Sequence, residues 1–297
     1  MPADLVSSRL EKTVPIDYQC LSWTSRLARD YSHAFDKVAD YYSSAPNVNE
    51  SWSNIIKARQ SARPDTAVSD VLEKQLAERQ APAAALTAVR QFRRQDSVAV
   101  VTGQQAGLFG GPLFTFLKAL TAIKLARQLA DKYRTPVVPV FWVDAEDHDL
   151  EEIAHCSVLD TSLALHKTTL PLDERKGVPA SLIRLDDTIA SAIASLEGNL
   201  AQTEFTEELI NDLKNTYQPG VRLVESFARW LDQLFGHHGL VVYDASDVAM
   251  KPFVQRLFVE ELKCPGQTSR LAANAGAKLE SSGYRAQVVP AQDAVAL

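Results

Sequence analysis

One stretch of this 297-residue chain limits the folds open to it more than any other, and it runs from Val98 to Asp149. It opens on Val98-Ala99-Val100-Val101, a continuous apolar run that suits a strand buried on both faces of a parallel sheet. Thr102 and four glycines follow, Gly103, Gly107, Gly110 and Gly111. Gly111-Pro112 then reads as the start of a helix, with proline at the first helical position. Leu113, Phe116, Leu117, Leu120 and Ile123 share the face of that helix expected to be apolar and inward. A second apolar strand, Val137 to Val143, ends in Asp144, Glu146, Asp147, His148, Asp149, Glu151 and Glu152. Strand, helix and strand in this order predict a βαβ unit. Open α/β sheets bind ligands at the carboxyl ends of their strands, which is where the glycines and the acids fall.

The glycine spacing is neither the dinucleotide G-x-G-x-x-G nor a P-loop, since no G-K-[ST] is present. Two readings stand: a tight strand-to-helix turn without a ligand, or an anion-binding loop at a helix N-terminus. Gln104 and Gln105 favour the second, because adjacent amides in a glycine loop have no packing purpose and supply donors and acceptors. Lys118 either reaches back toward the loop or is a solvated surface lysine.

So many acids at one strand end are costly unless something cationic offsets them. Candidates are Mg²⁺ carrying a nucleotide, a substrate ammonium group, or basic side chains from elsewhere in the fold. Asp149 to Glu152 also fits a capping box, with Asp149 as N-cap and Glu152 reaching back. His148, Glu152 and His155 would share a face if 148–155 were helical, so a zinc triad is a further alternative.

The rest of the chain is consistent with a globular α/β protein. Residues 22–95 read as helical, over 23–42, 66–80 and 83–94, with Pro46, Pro64 and Pro82 between them. Arg90, Arg93 and Arg94 form a basic cluster, read as a solvated face or as a screen for phosphate. Residues 155–186 read as short strands and hairpins. Helices are expected at 187–197, 204–216, 221–235, 248–263 and 268–281, and strands at 240–243 and 285–289. Asp244 lies one residue past the strand at 240–243 and is a site candidate, while Asp247 suits a helix cap. Residues 290–297 have no evident partner. The domain reading is a helical region over 1–95 that packs on a core over 96–297, with a β-rich insertion at about 155–186. The fold class expected is α/β, a Rossmann-like parallel sheet. The net charge of −6 argues against nucleic-acid or anionic-membrane binding. Three scattered cysteines, Cys20, Cys156 and Cys264, suggest a reducing cytoplasm without a disulfide framework. The first 23 residues carry acids and lack the apolar core of a signal peptide.

The motif Val101-Thr102-Gly103-Gln104-Gln105-x-Gly107-Leu108-Phe109-x-Gly111-Pro112-Leu113-Phe114-Thr115, with Lys118-Ala119 behind it, resembles the cysteine ligase family of bacillithiol biosynthesis, BshC. So does Pro136 to Trp142 followed by Glu146-Asp147-His148-Asp149 and His155. Weaker matches are Gly239 to Val242 with Asp244 and Asp247, and Gly283-Tyr284-x-Ala286-Gln287-Val288. Leu117 departs from the polar or aromatic residue expected there. Family members are longer, so the resemblance implies an N-terminal part. The remainder would hold more of the core and a helical coiled coil that supports dimerisation.

The resemblance implies amide formation between cysteine and glucosamine–malate, with ATP and Mg²⁺ as expected cofactors and no redox cofactor. On that reading Thr102, Gly103, Gln104, Gln105, Gly107, Gly111 and Lys118 hold nucleotide or substrate. Trp142 walls the pocket, and Asp149 and Asp244 are further candidates to bind substrate or nucleotide. Glu146 and Asp147 take Mg²⁺ or the cysteine ammonium group. His148 is the candidate base, histidine being the usual proton acceptor near neutrality. Expected partners are these small molecules, a second copy of the chain or a missing C-terminal part, with no nucleic acid and no membrane. The alternatives are a binding module without turnover and a metal-dependent hydrolase.

Overall fold

A computed structural model describes residues 16–62, 66–172 and 177–290. Pro64, residues 1–15 and residues 291–297 lie outside the described residues. The helices and strands are, in chain order, α1 Arg26–His33, α2 Asn49–Ser61, α3 Ala67–Glu78, α4 Ala83–Gln91, β1 Val98–Gln105, α5 Leu113–Tyr133, β2 Val137–Asp144, α6 Leu150–Ile153, β3 His155–Leu159, β4 Leu165–Thr169, α7 Thr188–Asn199, α8 Thr206–Thr216, α9 Leu223–Phe235, β5 Val241–Asp244, α10 Lys251–Lys263 and α11 Gln267–Ser281. Among the described residues no helix is long and apolar enough to cross a membrane. Two compact units divide the chain, Met1–Lys57 with Leu257–Leu297, and Ala58–Arg256.

In the first unit the helix expected over 23–42 is shorter. It stops at Ala34, whose backbone leaves helical space, and single 3-10 turns follow at Phe35–Lys37 and Ala39–Tyr41. The break folds the aromatic residues onto one another instead of strung along a stripe. The rings of Tyr31 and Tyr42 lie 4.6 Å apart and Val38 is fully buried. Tyr284 is also buried, and its hydroxyl donates to the Asp30 carboxylate at 2.9 Å. The strand expected over 285–289 does not form; those residues are irregular.

The second unit is a parallel three-stranded sheet in the order β1-β2-β5. Alternation along the strands divides the core in two. Phe141, Val143 and Val242 pack with α5 and α9 on one face. Val138, Val140, Val241 and Tyr243 pack with α3 and α4 on the other. A buried Leu, Val or Phe contributes about 1.5–3 kcal/mol, and α9 alone buries Leu223, Val224, Phe227, Leu231 and Phe235. The small antiparallel sheet β3-β4 is the one hairpin that the 155–186 segment forms among the described residues.

Two expectations about the βαβ unit are corrected. The first strand does not stop at Val101. Its pairing with β2 continues in register to Gln105, opposite Asp144, so Gly103, Gln104 and Gln105 are strand residues. The helix also turns a different face inward. α5 buries Thr115, Ala119, Ala122, Ile123, Ala126 and Leu129, while Leu113, Leu117 and Leu120 stay 48–70% exposed. Small side chains let the helix lie close to the sheet, so alanine and threonine form the contact that leucine was expected to form. Phe116 and Ile123 do pack inward.

A buried ion pair fastens α3 to α9. Arg79 Nε donates to Asp232 Oδ2 at 2.6 Å, and its second nitrogen donates to the Val242 carbonyl of β5 at 2.6 Å. Both side chains are under one-tenth exposed. Burial pushes the Asp232 carboxyl up to about 6, against the pull of Arg79. Removing one partner strands the other charge in an apolar interior. Arg79→Met is therefore expected to cost about 3–5 kcal/mol in urea unfolding; a loss under about 1 kcal/mol would show that the pair does not hold the helices.

Candidate functional site

The chemistry gathers at the carboxyl ends of β1 and β2, as the topology demands. α3 and α4 pack on Ala99, Val138, Val140, Val241 and Tyr243, while on the same side of the sheet Val101 of β1 is 58% and Trp142 of β2 46% exposed. The register sets Gly103 beside Trp142 and Gln105 beside Asp144. A Cβ on Gly103 would come within 2.6 Å of the Trp142 carbonyl oxygen, so glycine is what lets the two strands approach there. Trp142 is braced edge-to-face by Tyr243 at 4.9 Å. Gly103, Gln104, Gln105, Trp142 and Asp144 line a trough of about 360 Å³. Thr102 is half-buried within β1, opposite Phe141.

The two glutamines are not free amides in a loop. Lys118 reaches back from α5 and donates to Gln104 Oε1 at 2.7 Å and to the Gly103 carbonyl at 3.2 Å. Gln104 Nε2 donates to Gln105 Oε1 at 3.3 Å. Gln105 Nε2 donates to Asp147 Oδ2 at 2.6 Å and to Glu152 Oε2 at 2.9 Å. Gln104 and Gln105, expected to have no packing purpose, are instead held by partners within the fold.

The glycine turn is tight for reasons of its own. A Cβ on Gly107 would lie 2.6 Å from the Gly111 Cα, and Gly110 and Gly111 both have positive φ. Phe109, also left-handed at φ 54°, is held by an edge-to-face contact with the buried Tyr217 at 5.2 Å. Gly107 and Gly111 thus have a packing role whether or not an anion binds. The N-cap of α5 is Pro112, which makes no side-chain cap hydrogen bond.

Local hydrogen bonds and one long-range ion pair divide the acidic edge. Asp149 is the N-cap of α6, accepting from Glu152 N–H at 3.3 Å. The reciprocal half of the expected capping box is absent, because Asp147 Oδ1 takes the Asp149 N–H at 3.1 Å and the Glu152 carboxylate goes to Gln105. Glu146 pairs with Lys251 at 2.5 Å, so Glu146 and Asp147 are drawn to different partners. Burial pushes the Asp147 carboxyl up, but hydrogen bonds from Gln105 and the Asp149 and His148 N–H groups outweigh it, with the field of His148, and leave it below the usual carboxylate range. Asp144 moves the other way, raised by burial and then by its acidic neighbours Asp147 and Glu146.

His148 is well exposed, its Nδ1 4.0 Å from Asp147 Oδ1. It lines a second hollow of about 1140 Å³, with His155, Lys167 and Thr169 of the hairpin. Trp142 and His148 therefore serve different hollows, and Asp147 touches Gln105 on one side and approaches His148 on the other. The zinc triad does not form. Helix α6 ends at Ile153, His155 begins β3 with Nδ1 2.8 Å from the Glu151 carbonyl oxygen, and among the described residues no three His, Cys, Asp or Glu side chains are placed to hold a metal.

Asp244 is displaced from the candidate site. It is buried, accepts from Ser246 N–H and Oγ, and faces Arg222 at 3.6 Å. With Asp247, the N-cap of the next turn, it lines a separate hollow beside Gln75 and Arg79. The basic cluster is tied up in ion pairs: Arg90 with Glu73, Arg93 with Asp70 and Glu73, and Arg94 with Asp96. Lys251 was not singled out in the sequence. Its signal is topological: it follows β5, whose carboxyl end lies next to that of β2.

The family model described as "Bacillithiol biosynthesis BshC, N-terminal Rossmann-like domain" matches residues 12–297. A protein of Salinibacter ruber named "Putative cysteine ligase BshC" is 36% identical over 268 residues, covering 87% of this chain and 48% of the relative. One of the same name from Koribacter versatilis is 32% identical over 277 residues, 92% of this chain and 50% of the relative. A third, from Chlorobaculum tepidum, is 35% identical over 204 residues. The chain spans about half the length of the first two relatives. With its parallel sheet, its glycine turn and the acid-rich end of β2, the chain belongs to the BshC family and carries that family's N-terminal Rossmann-like domain.

Proposed function

We propose that this chain forms the substrate-binding core of a cysteine ligase of bacillithiol biosynthesis, joining the cysteine carboxyl to the amine of glucosamine–malate as an amide. The observation that carries the reading is that Asp147 contacts a lining residue of each hollow: it accepts from Gln105, which lines the trough with Trp142, and lies 4.0 Å from His148, which lines the larger hollow. A condensation needs two substrates side by side, and the reacting atoms must be brought to about 3–3.5 Å. Cysteine is assigned to the smaller trough, its ammonium group offset by Asp144 and Asp147. Glucosamine–malate is assigned to the larger hollow, where Lys167 suits its carboxylates.

A carboxylate does not react with an amine until it carries a leaving group. ATP would supply one, giving an acyl-adenylate with release of pyrophosphate or an acyl-phosphate with release of ADP, and AMP or phosphate would leave the acyl carbon as the C–N bond forms. The N-terminus of α5 with the turn at Gly107 to Gly111 is the place assigned to phosphate. His148 accepts the proton that the amine loses as the C–N bond forms. Glu146, held by Lys251, sets the electrostatics of the edge and is not the base.

A second reading follows from the chain's spanning half of its relatives: a binding unit that turns over only with further polypeptide. Ligation by the purified chain separates the two. With turnover, His148→Ala is expected to lower kcat by about 10²–10⁴-fold, and a loss under about tenfold removes it from the chemistry. Without turnover, cysteine at a hundredfold excess over Kd should still stabilise the fold by about 2.7 kcal/mol. No change in Tm with cysteine, ATP or glucosamine–malate would sink both readings.

The acidic edge also predicts an order of protonation. As pH falls, the raised Asp144 should take its proton before the depressed Asp147. Carbon-13 carboxyl resonances followed by titration check this, and Asp147 protonating first would contradict the environment described for the pair.

A further inference from the structure

We propose that Lys118, Gln104 and Gln105 form a one-way hydrogen-bond relay around the end of β1 that positions the Asp147 and Glu152 carboxylates, so that Lys118 and Gln104 act on the acidic edge without touching it. An ammonium group can only donate, and a primary amide has one accepting end and one donating end. Lys118 donates to Gln104 Oε1, which turns the Gln104 nitrogen toward Gln105. Gln105 spends its oxygen on that contact, which turns its own nitrogen outward to the two carboxylates. The reverse orientation would set an amide N–H₂ against the lysine and an amide oxygen against two carboxylates. Both contacts repel, so the chemistry at the two ends fixes the direction of the whole relay.

The relay answers a question the acids pose. Two carboxylates converge on one neutral amide nitrogen, each taking one of its protons, and are so held close together. The chain of contacts starts on α5, on the face of the sheet that packs α9, and passes round the tip of β1 to α6. A substitution on a helix surface thereby reaches a carboxylate assigned to substrate. Gln104 and Lys118 are positioning residues: two of the three lysine N–H donors and one of the two amide N–H donors go to partners within the protein. The functional consequence, though not the relay itself, rests on the reading of this edge as an ammonium-binding site.

The test uses the protein labelled with nitrogen-15 in its glutamine side chains and free of ligand. The Gln105 amide signal is identified by its loss in Gln105→Leu. Lys118→Met and Gln104→Leu should each move that signal and speed exchange of its protons by about tenfold, the effect of losing a charge-assisted hydrogen bond. Lys118→Arg keeps a donating cation and should leave the signal near its original place. Gln104→Glu accepts from Lys118 but cannot donate onward, so it should behave as Gln104→Leu does; it also covers the case in which the leucine variant fails to fold. An unmoved Gln105 signal in Lys118→Met and in either Gln104 variant overturns the relay. Where ligation is measurable, Lys118→Met should raise KM for cysteine by about threefold or more with a smaller change in kcat, as expected for lost ground-state binding. If no ligand binds the parent protein, the site reading fails while the amide signals still decide the relay.

Discussion

The parallel pairing of β1 with β2 is the constraint on which everything else in the larger unit depends. Its register runs unbroken from Val98 opposite Val137 to Gln105 opposite Asp144. Because side chains alternate along a strand, this one choice assigns each residue a face. It sends Phe141 and Val143 to α5 and α9, Val138 and Val140 to α3 and α4, and Trp142 with Asp144 into the open trough. A slip by one residue would exchange core and site. Gly103 guards against it, since no other residue fits beside the Trp142 carbonyl.

The site is built from pieces that serve stability and chemistry at once. Gly107 and Gly111 close on each other to turn the chain into α5, and the same turn is the place assigned to phosphate. Asp149 caps α6, and α6 carries the Glu152 that Gln105 holds. Lys251 arrives from beyond β5 to neutralise Glu146. So dense an acidic edge is tolerated because a lysine, an amide and several backbone N–H groups divide it among themselves.

The sheet was legible in the sequence because its signal is local. Valine runs, a glycine-proline helix start and acids at strand ends mark a βαβ unit without any knowledge of the rest of the chain. The α5 face was misread because apolarity alone does not say which side of a helix fits close to a sheet. There Ala119, Ala122 and Ala126 outcompete Leu113, Leu117 and Leu120 through size. The length of β1 was hidden by its glycine, ordinarily a strand breaker. The purpose of Gln104 and Gln105 was invisible for another reason. It depends on partners 14 to 47 residues away, and pairings at that range leave no periodic trace. Lys251, 105 residues from Glu146, is the extreme case.

The strand order carries a consequence for how the molecule is made. β1, α5 and β2 are contiguous and can assemble from local contacts. β5 pairs Val241 with Val140, across about a hundred intervening residues that include the hairpin and helices α6 to α9. Contacts of such high order are slow to form, because the chain between them must be ordered first. Tyr243, which braces Trp142, arrives with that last strand. The wall of the trough is therefore a late product of folding: a newly made chain would hold its central βαβ nucleus well before it could recognise a substrate.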